Sequence, residues 1–198
     1  MANSIYYLPG YGGRLGTGLG AELLRRGFDV SGRETVGDFK DLTFSDQIAA
    51  VAEDLTTRYW TEGSRVIANS FGAYLFLNAQ RLIDPYIGKV LLLSPIVGEF
   101  SNKETGASFV PPQSGKLFEL AESGGYPVPH QCEIHVGEQD WQSIPSSVIR
   151  FSGPLGLDVA VVPEMGHMLD KGYVAALLDR WLSKESADTT TDANTTIR

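Results

Sequence analysis

The stretch RVIANSFG, residues 65–72, decides the fold. Its β-branched first half predicts a buried strand, and apolar residues at three-to-four spacing predict a helix over 71–83. A serine between the two elements lies on a sharp turn, with its hydroxyl above the carboxyl edge of the sheet and over the helix N-terminus. Such a turn needs very small residues two positions before and two positions after the serine, and here they are Ala68 and Gly72. The pattern alone fits a nucleophilic Ser70 and a serine that only caps the helix equally well.

Strand-like and helix-like segments alternate along the rest of the chain. Short, nearly continuous apolar runs predict buried strands at Ser4–Leu8, Phe28–Ser31, Arg65–Asn69, Lys89–Ser94, Cys132–Val136 and Leu157–Val162. Apolar residues at helical spacing predict helices at Leu42–Trp60, Phe71–Ile83 and Lys171–Ser183, the first of them capped by Thr43 or Ser45. This alternation predicts a three-layer α/β/α sandwich with a mostly parallel, doubly wound sheet of about six strands.

The composition is ordinary for a globular protein. The chain has 198 residues, of which 42% are hydrophobic and 20% charged, and its formal net charge is -8. This acidic balance argues against nucleic acid or an anionic membrane as a partner, because both attract concentrated lysine and arginine. The first residues lack the basic and apolar regions of a secretion signal, and no apolar run approaches the ~20 residues that cross a bilayer. We therefore expect a cytoplasmic protein, monomeric or homodimeric, in which the single cysteine, Cys132, is a buried apolar residue.

The length suits one domain over residues 1–185, with two segments that break the alternation. Residues 95–131 form a connection about three times the usual length around one helix-like piece, Gly115–Ser123, and such connections are usually functional or disordered. We interpret this segment as a lid-like insertion. Residues 186–198 are rich in Thr, Asp and Asn with almost nothing to bury, which predicts a disordered tail.

Two residues near the end of the chain supply the partners that an activated serine needs. His167 follows the last predicted strand and Asp140 follows the strand before it, so both fall at the carboxyl edge where parallel sheets place their sites. An imidazole accepts the serine proton at neutral pH, and a carboxylate on its other nitrogen fixes the tautomer and stabilises the imidazolium. Glu138 lies in the same loop as Asp140 and is an alternative to it.

The other titratable candidates fit these roles less well. His130 precedes a strand and should lie at the opposite edge of the sheet, whereas His135 lies inside the strand, where a hydrogen-bonded core histidine is expected. Asp158 begins a strand, and Asp170 is better placed to cap the final helix.

A glycine-rich turn, LPGYGG at residues 8–13, directly follows the first strand. Acyl transfer needs backbone N–H donors aimed at the developing oxyanion. We expect one donor from Phe71, the residue after the serine, and the other from Tyr11 in this turn. Gly10 beside it is a candidate for contact with substrate.

The same turn permits a different interpretation. Gly10, Gly13 and Gly16 have the G-x-x-G-x-x-G spacing between a strand and a helix that is close to a dinucleotide-binding unit, with Arg33 or Glu34 meeting the adenosine ribose or its phosphate. This alternative, an NAD(P)-binding protein, leaves the serine, the aspartate and the histidine at three strand ends as a coincidence. A hydrolase-shaped binding module without activity is a further alternative.

With these residues in place, the chain resembles the α/β-hydrolase superfamily over nearly its whole length. The matching stretches are Ile5–Gly13, Val66–Gly72, Val90–Pro95, Val136–Pro145 and Val161–Leu169. The last two are similar to the superfamily's V-G-x-x-D-x-x-x-P acid loop and its G-H histidine loop. The resemblance implies a minimal, six-stranded member in which the serine, aspartate and histidine form a catalytic triad that works through an acyl-enzyme without metal or organic cofactor. Two features depart from the pattern: Ala68 replaces the usual glycine, and Pro9-Gly10 replaces the His-Gly of the oxyanion loop.

The substrate is less defined than the triad. The apolar side chains of the insertion are Phe100, Phe109, Val110, Leu117, Phe118 and Leu120. They either line an apolar acyl pocket, with Phe109 and Phe118 in contact with substrate and Trp141 added beside the acid, or pack the insertion onto the body. We expect a small-molecule ester or thioester of a small to medium apolar acid as substrate. Lactone, amide and carbon–carbon bond cleavage by the same triad stay open.

Overall fold

The computed structural model describes residues 3–103 and 106–183. Two compact units divide the chain, one of residues 1–168 and one that begins at Leu169. The tail predicted at 186–198 lies outside the described residues.

The strands in the described residues are β1 (Ser4–Leu8), β2 (Asp29–Gly32), β3 (Arg65–Asn69), β4 (Lys89–Leu93), β5 (Phe100–Asn102), β6 (Ala107–Phe109), β7 (Gln131–Gly137) and β8 (Asp158–Val162). Six of them form one sheet in the order β2-β1-β3-β4-β7-β8, and every neighbouring pair is parallel. The β5–β6 pair is a separate antiparallel hairpin. The parallel six-stranded sheet predicted from the sequence is confirmed.

The α-helices are α1 (Gly18–Arg25), α2 (Gly37–Asp41), α3 (Phe44–Arg58), α4 (Phe71–Gln80), α5 (Lys116–Glu122), α6 (Pro145–Ser152) and α7 (Lys171–Ser183). The Thr43 hydroxyl accepts a hydrogen bond from the Asp46 N–H and so caps α3, as one of the two predicted candidates. Helix α7, in the second unit, has the predicted bounds, and the Asp170 carboxylate accepts the N–H groups of Gly172 and Tyr173 at its start. Asp170 therefore caps this helix, as expected.

Both faces of the sheet are covered, because alternate residues of β1 are buried against different helices. Tyr6 belongs to the main hydrophobic cluster, and its hydroxyl donates to Asp54 of α3 at 2.8 Å. Tyr7 points to the other face, where a Cβ on Gly20 of α1 would lie 3.1 Å from its ring. Helices on both faces explain why the central strands are almost continuously apolar. In the described parts of the chain, no helix has the length and apolar character needed to cross a membrane.

The long insertion divides into two parts with different surroundings. Leu117 and Ala121 of α5 lie in the main hydrophobic cluster, and the Tyr126 hydroxyl donates to the Leu77 carbonyl at 2.9 Å. All described residues of the two strands of the β5–β6 hairpin are exposed or half-buried. The second half of the insertion is therefore built into the body of the protein.

Candidate active site

Ser70 lies on a strained turn between β3 and α4. Its φ of 53° and ψ of -121° are sparsely populated for a residue with a side chain, and such strain is characteristic of functional sites. Two backbone bonds hold the turn, one from the Ser70 N–H to the Leu93 carbonyl at 2.9 Å and one from the Tyr74 N–H to the Ser70 carbonyl at 3.2 Å. A Cβ on Gly72 would lie only 2.1 Å from the Leu8 carbonyl oxygen. The small residue expected two positions after the serine is therefore required by the packing of α4 against β1.

The structure brings Ser70, His167 and Asp140 into one hydrogen-bonded row. The Ser70 Oγ lies 2.8 Å from the His167 Nε2, and the His167 Nδ1 lies 2.9 Å from the Asp140 Oδ2. The Asp140 side chain is fully buried, and its Oδ1 accepts the N–H groups of Gln142 at 2.9 Å and Ser143 at 2.8 Å. These bonds fix the carboxylate against the imidazole. The arrangement can take a proton from the serine hydroxyl and stabilise the imidazolium that results.

The loop that carries the acid is bonded to the loop that carries the histidine. The Glu138 N–H donates to the Val162 carbonyl at 2.9 Å, and the Gln139 N–H donates to the Met165 carbonyl at 2.8 Å. The Glu138 carboxylate accepts the Glu164 N–H at 3.0 Å. Of the two acids considered from the sequence, Asp140 contacts the imidazole, and Glu138 braces the histidine loop.

The two other histidines lie away from this row. His135 is buried within β7, and its Nε2 lies 3.6 Å from the Glu133 carboxylate. His130 precedes the same strand and its N–H donates to the Tyr86 carbonyl. Since β7 runs from its Gln131 end to the acid loop, His130 lies at the opposite edge of the sheet, as expected.

The glycine turn approaches Ser70 directly. A Cβ on Gly10 would lie 3.2 Å from the Ser70 Cβ and 3.7 Å from its Oγ, so only glycine leaves open space there. The Gly13 N–H donates to the Gly10 carbonyl at 2.9 Å, and Gly12 between them has a φ of 75°, a conformation that glycine adopts readily. The Thr35 hydroxyl also bonds this turn. Thr35 was not a candidate from the sequence, because nothing local to it indicates a contact with a turn more than twenty residues earlier.

A row of aromatic rings extends from the glycine turn past the serine to the acid. The neighbouring ring pairs are Tyr11–Phe71 at 5.8 Å, Phe71–Phe109 at 6.3 Å, Phe109–Phe100 at 5.5 Å and Phe100–Trp141 at 5.6 Å between centroids. Phe100 and Phe109 are cross-strand partners in the β5–β6 hairpin. Of the predicted substrate contacts, Phe109 and Trp141 belong to this aromatic row.

Phe118 lies in a different environment. The Arg150 guanidinium lies 4.7 Å from its ring centroid, and a Cβ on Gly98 would lie 2.9 Å from its ring. Within residues 3–103 and 106–183, no aromatic ring pair joins Phe118 to the aromatic row. The contact with Arg150 therefore indicates that Phe118 packs between α5 and α6, and its predicted contact with substrate stays a prediction.

The residues required by the dinucleotide-binding alternative have partners within the chain. The Glu34 carboxylate accepts the Leu15 N–H at 3.0 Å, and the Arg33 guanidinium donates to both carboxylate oxygens of Asp54, at 2.6 and 2.9 Å. These contacts fix both side chains as part of the fold. The two residues that the dinucleotide-binding alternative assigned to the ribose are therefore engaged by other groups of the chain.

A parallel sheet in this order, with a serine turn after β3 and an acid and a histidine after β7 and β8, is the α/β-hydrolase fold. The fold implied by the sequence resemblance is thus confirmed. No family model and no curated protein matches the chain.

Solved structures of this fold are similar over most of the chain. The ydeN gene product of B. subtilis is 13% identical with a TM-score of 0.62, over 92% of this chain and 100% of that one. A carboxylesterase of the thaumarchaeon Nitrososphaera gargenis is 12% identical with a TM-score of 0.58, over 90% and 89%. The N-formylmaleamic acid deformylase of Pseudomonas putida is 18% identical with a TM-score of 0.56, over 88% and 91%.

Proposed function

We propose that the protein is a serine hydrolase that cleaves a carboxylic ester or thioester of a small to medium apolar acid through an acyl-enzyme. The observation that carries this proposal is the row Ser70–His167–Asp140, with contacts of 2.8 and 2.9 Å and a fully buried carboxylate. A serine that only capped α4 would not need a histidine at hydrogen-bond distance, and no cap bond from its side chain is formed. The carboxylesterase and the deformylase among the similar structures support hydrolysis as the reaction class.

The cycle follows from the roles that this geometry supports. His167 takes the proton of Ser70 as the Oγ bonds to the acyl carbon, and the carbonyl oxygen becomes an oxyanion. The N–H groups of Phe71 and Tyr11 stabilise that oxyanion. His167 then gives its proton to the alcohol or thiol, whose bond to the acyl carbon breaks. Water repeats the sequence on the acyl-enzyme, which releases the acid and returns the proton to Ser70.

The aromatic row is the proposed acyl site. It offers ring faces and edges beside the serine, and such surfaces bind apolar groups with some preference for other rings. A side chain at position 10 would crowd the Ser70 Oγ, while Phe109 contacts the ring of Phe71, next to Ser70, and Trp141 follows Asp140 directly. This composition supports an apolar acyl group, either aromatic or short aliphatic.

We further propose that the β5–β6 hairpin is the lid of the site, a narrower assignment than the whole insertion. Its two phenylalanines contact Phe71 and Trp141, whereas α5 is packed into the hydrophobic cluster. A hairpin of three-residue strands has few backbone bonds to hold it, so it can move without disturbing the sheet.

The direct test is covalent labelling with a fluorophosphonate, followed by peptide mass spectrometry. The wild type should carry the label on Ser70, Ser70→Ala should carry none, and His167→Ala should label far more slowly. Ser123→Ala, at an exposed serine, is the matched control and should label like the wild type. A panel of p-nitrophenyl esters then separates aromatic from aliphatic acyl groups.

Folded wild-type protein that neither accepts the label nor turns over any ester would refute the proposal. NAD(P) binding measured by calorimetry on the same sample, with no effect of Ser70→Ala, would instead support the dinucleotide-binding alternative. A protein with neither property would be a binding module on a hydrolase scaffold.

A further inference from the structure

Thr35 joins the glycine turn through hydrogen bonds of both its hydroxyl and its N–H. It is 2% exposed and follows β2, and its hydroxyl donates to the Gly10 carbonyl at 2.5 Å. The same hydroxyl accepts the Gly13 N–H at 2.9 Å, and the Thr35 N–H donates to the Gly13 carbonyl at 3.1 Å. A single buried side chain therefore holds both ends of the turn.

The bond to the Gly10 carbonyl has a consequence for the next residue. In a planar trans peptide, the carbonyl of one residue and the N–H of the following residue point in opposite directions. When Thr35 holds the Gly10 carbonyl on one side, it fixes the Tyr11 N–H on the other. This peptide lies beside the nucleophile, since a Cβ on Gly10 would be 3.7 Å from the Ser70 Oγ.

The side chain of Tyr11 does not fix this direction. It is 67% exposed, and its ring contacts are an edge contact with Phe71 and the Lys40 ammonium 5.3 Å from its centroid. In the superfamily that the sequence resembles, a histidine at the position of Pro9 often braces this loop. Proline has no hydrogen-bonding side chain and cannot do so. Two groups hold the Gly10 carbonyl, the Gly13 N–H from within the turn and the Thr35 hydroxyl from outside it, and of these Thr35 is the side chain.

We infer that Thr35 is a positioning residue for catalysis, which orients the Tyr11 N–H as an oxyanion donor through the Gly10–Tyr11 peptide. This rests on the proposed hydrolase function. Thr35 itself touches neither the reacting atoms nor the triad. Its effect is on how well the oxyanion is held in the transition state, and so on kcat more than on KM.

Thr35→Val tests this inference, because it removes the hydroxyl and keeps the shape. Loss of an oxyanion donor costs about 100- to 1,000-fold in kcat, so misalignment of one should cost about 10- to 100-fold. We expect that loss in the hydrolysis of a p-nitrophenyl ester, with KM changed less than about threefold. Thr35→Ser keeps the hydroxyl and should restore most of the rate. Thr56→Val is the matched control, since the Thr56 hydroxyl bonds only within α3, and it should behave like the wild type.

A transition-state analogue separates positioning from a structural role. A trifluoromethyl ketone binds through a hemiketal oxyanion on Ser70, so its affinity for Thr35→Val should fall in proportion to kcat/KM. Across the variants at position 35, the loss of affinity should not follow the change in thermal midpoint. If Thr35→Val fails to fold, Thr35→Ala is the second variant, because it also removes the hydroxyl and does not bury the two methyl groups of valine.

The outcomes are distinguishable. A folded hydroxyl-deletion variant with wild-type kcat and wild-type analogue affinity would overturn the positioning role and leave the hydrolase proposal intact. Thr35→Ser as slow as Thr35→Val would also overturn the positioning role, because a retained hydroxyl would then fail to restore the rate. Wild-type protein without ester turnover or serine labelling would overturn the proposed function, and the inference with it.

Discussion

Replacing Gly137 by alanine should displace His167, the proposed catalytic base, without touching it. Gly137 ends β7, and a Cβ there would lie 2.3 Å from the carbonyl oxygens of Met165 and Gly166. Since a Cβ essentially never approaches another heavy atom within 3.0 Å, the histidine loop has to move by roughly 0.7 Å or more. A shift of about 1 Å at a catalytic group costs about 100-fold, so we expect kcat to fall by about 30- to 100-fold.

The fall in kcat should be larger than the loss of folding stability in Gly137→Ala would explain. Overpacking at this contact is expected to lower the free energy of unfolding by about 1–3 kcal/mol, which leaves the protein folded at room temperature. The assay is steady-state ester hydrolysis together with urea denaturation of the wild type, Gly137→Ala and Gly63→Ala. Gly63 is the matched control, because its Cβ would meet nothing within 4 Å and its φ lies outside the positive range that strains alanine. A folded Gly137→Ala with wild-type kcat would refute the claim that the contact of β7 with the histidine loop sets the alignment.

Three further predictions follow from contacts already described. Gly72→Ala should destabilise the protein by about 3 kcal/mol in urea denaturation, because its Cβ would lie 2.1 Å from the rigid Leu8 carbonyl; an effect no larger than that of Gly63→Ala would contradict this. Glu138→Gln keeps an oxygen acceptor for the histidine loop and should retain activity within about threefold, whereas Asp140→Asn should lose on the order of 10,000-fold in kcat. The reverse order would exchange the roles of the two acids. Burial raises the pKa of the Cys132 thiol to about 12, so the native protein should not react with DTNB at pH 8, while urea should expose one reactive thiol. Rapid reaction of the native protein would show that the strand around this cysteine opens.

The main sheet was predictable because its strands carry strong local signals. β1 and β3 have the predicted bounds, since both are buried on two faces and read as uninterrupted apolar runs. The β5–β6 hairpin was not predicted, because three-residue strands with half-buried phenylalanines at Phe100 and Phe109 show no alternation long enough to recognise. Helix α6 was missed as well, since it starts at a proline and continues with two serines, which read as a loop.

The candidate site divides in the same way between local and long-range signals. The approach of Ser70, Asp140 and His167 could be predicted, because each follows a parallel strand and such strand ends share one edge of the sheet. The contact of Phe118 with Arg150 and the bonds of Thr35 to the glycine turn depend on which loops meet in space. Sequence spacing does not indicate which loops come into contact, so the contacts of these residues could be identified only from the structure.

The proposed oxyanion donor at Tyr11 belongs to the backbone, and this has a consequence for how the protein can diverge. Because its side chain is 67% exposed, other residues at position 11 should keep the fold and this N–H, at the cost of one ring of the proposed acyl site, whereas a Cβ on the neighbouring Gly10 would crowd the Asn69 amide at 3.1 Å. Homologous proteins can thus retain the backbone oxyanion donor while the side chains around it change. Genome surveys that search for side-chain signatures will pass over such enzymes, and surveys that compare backbone paths will recover them.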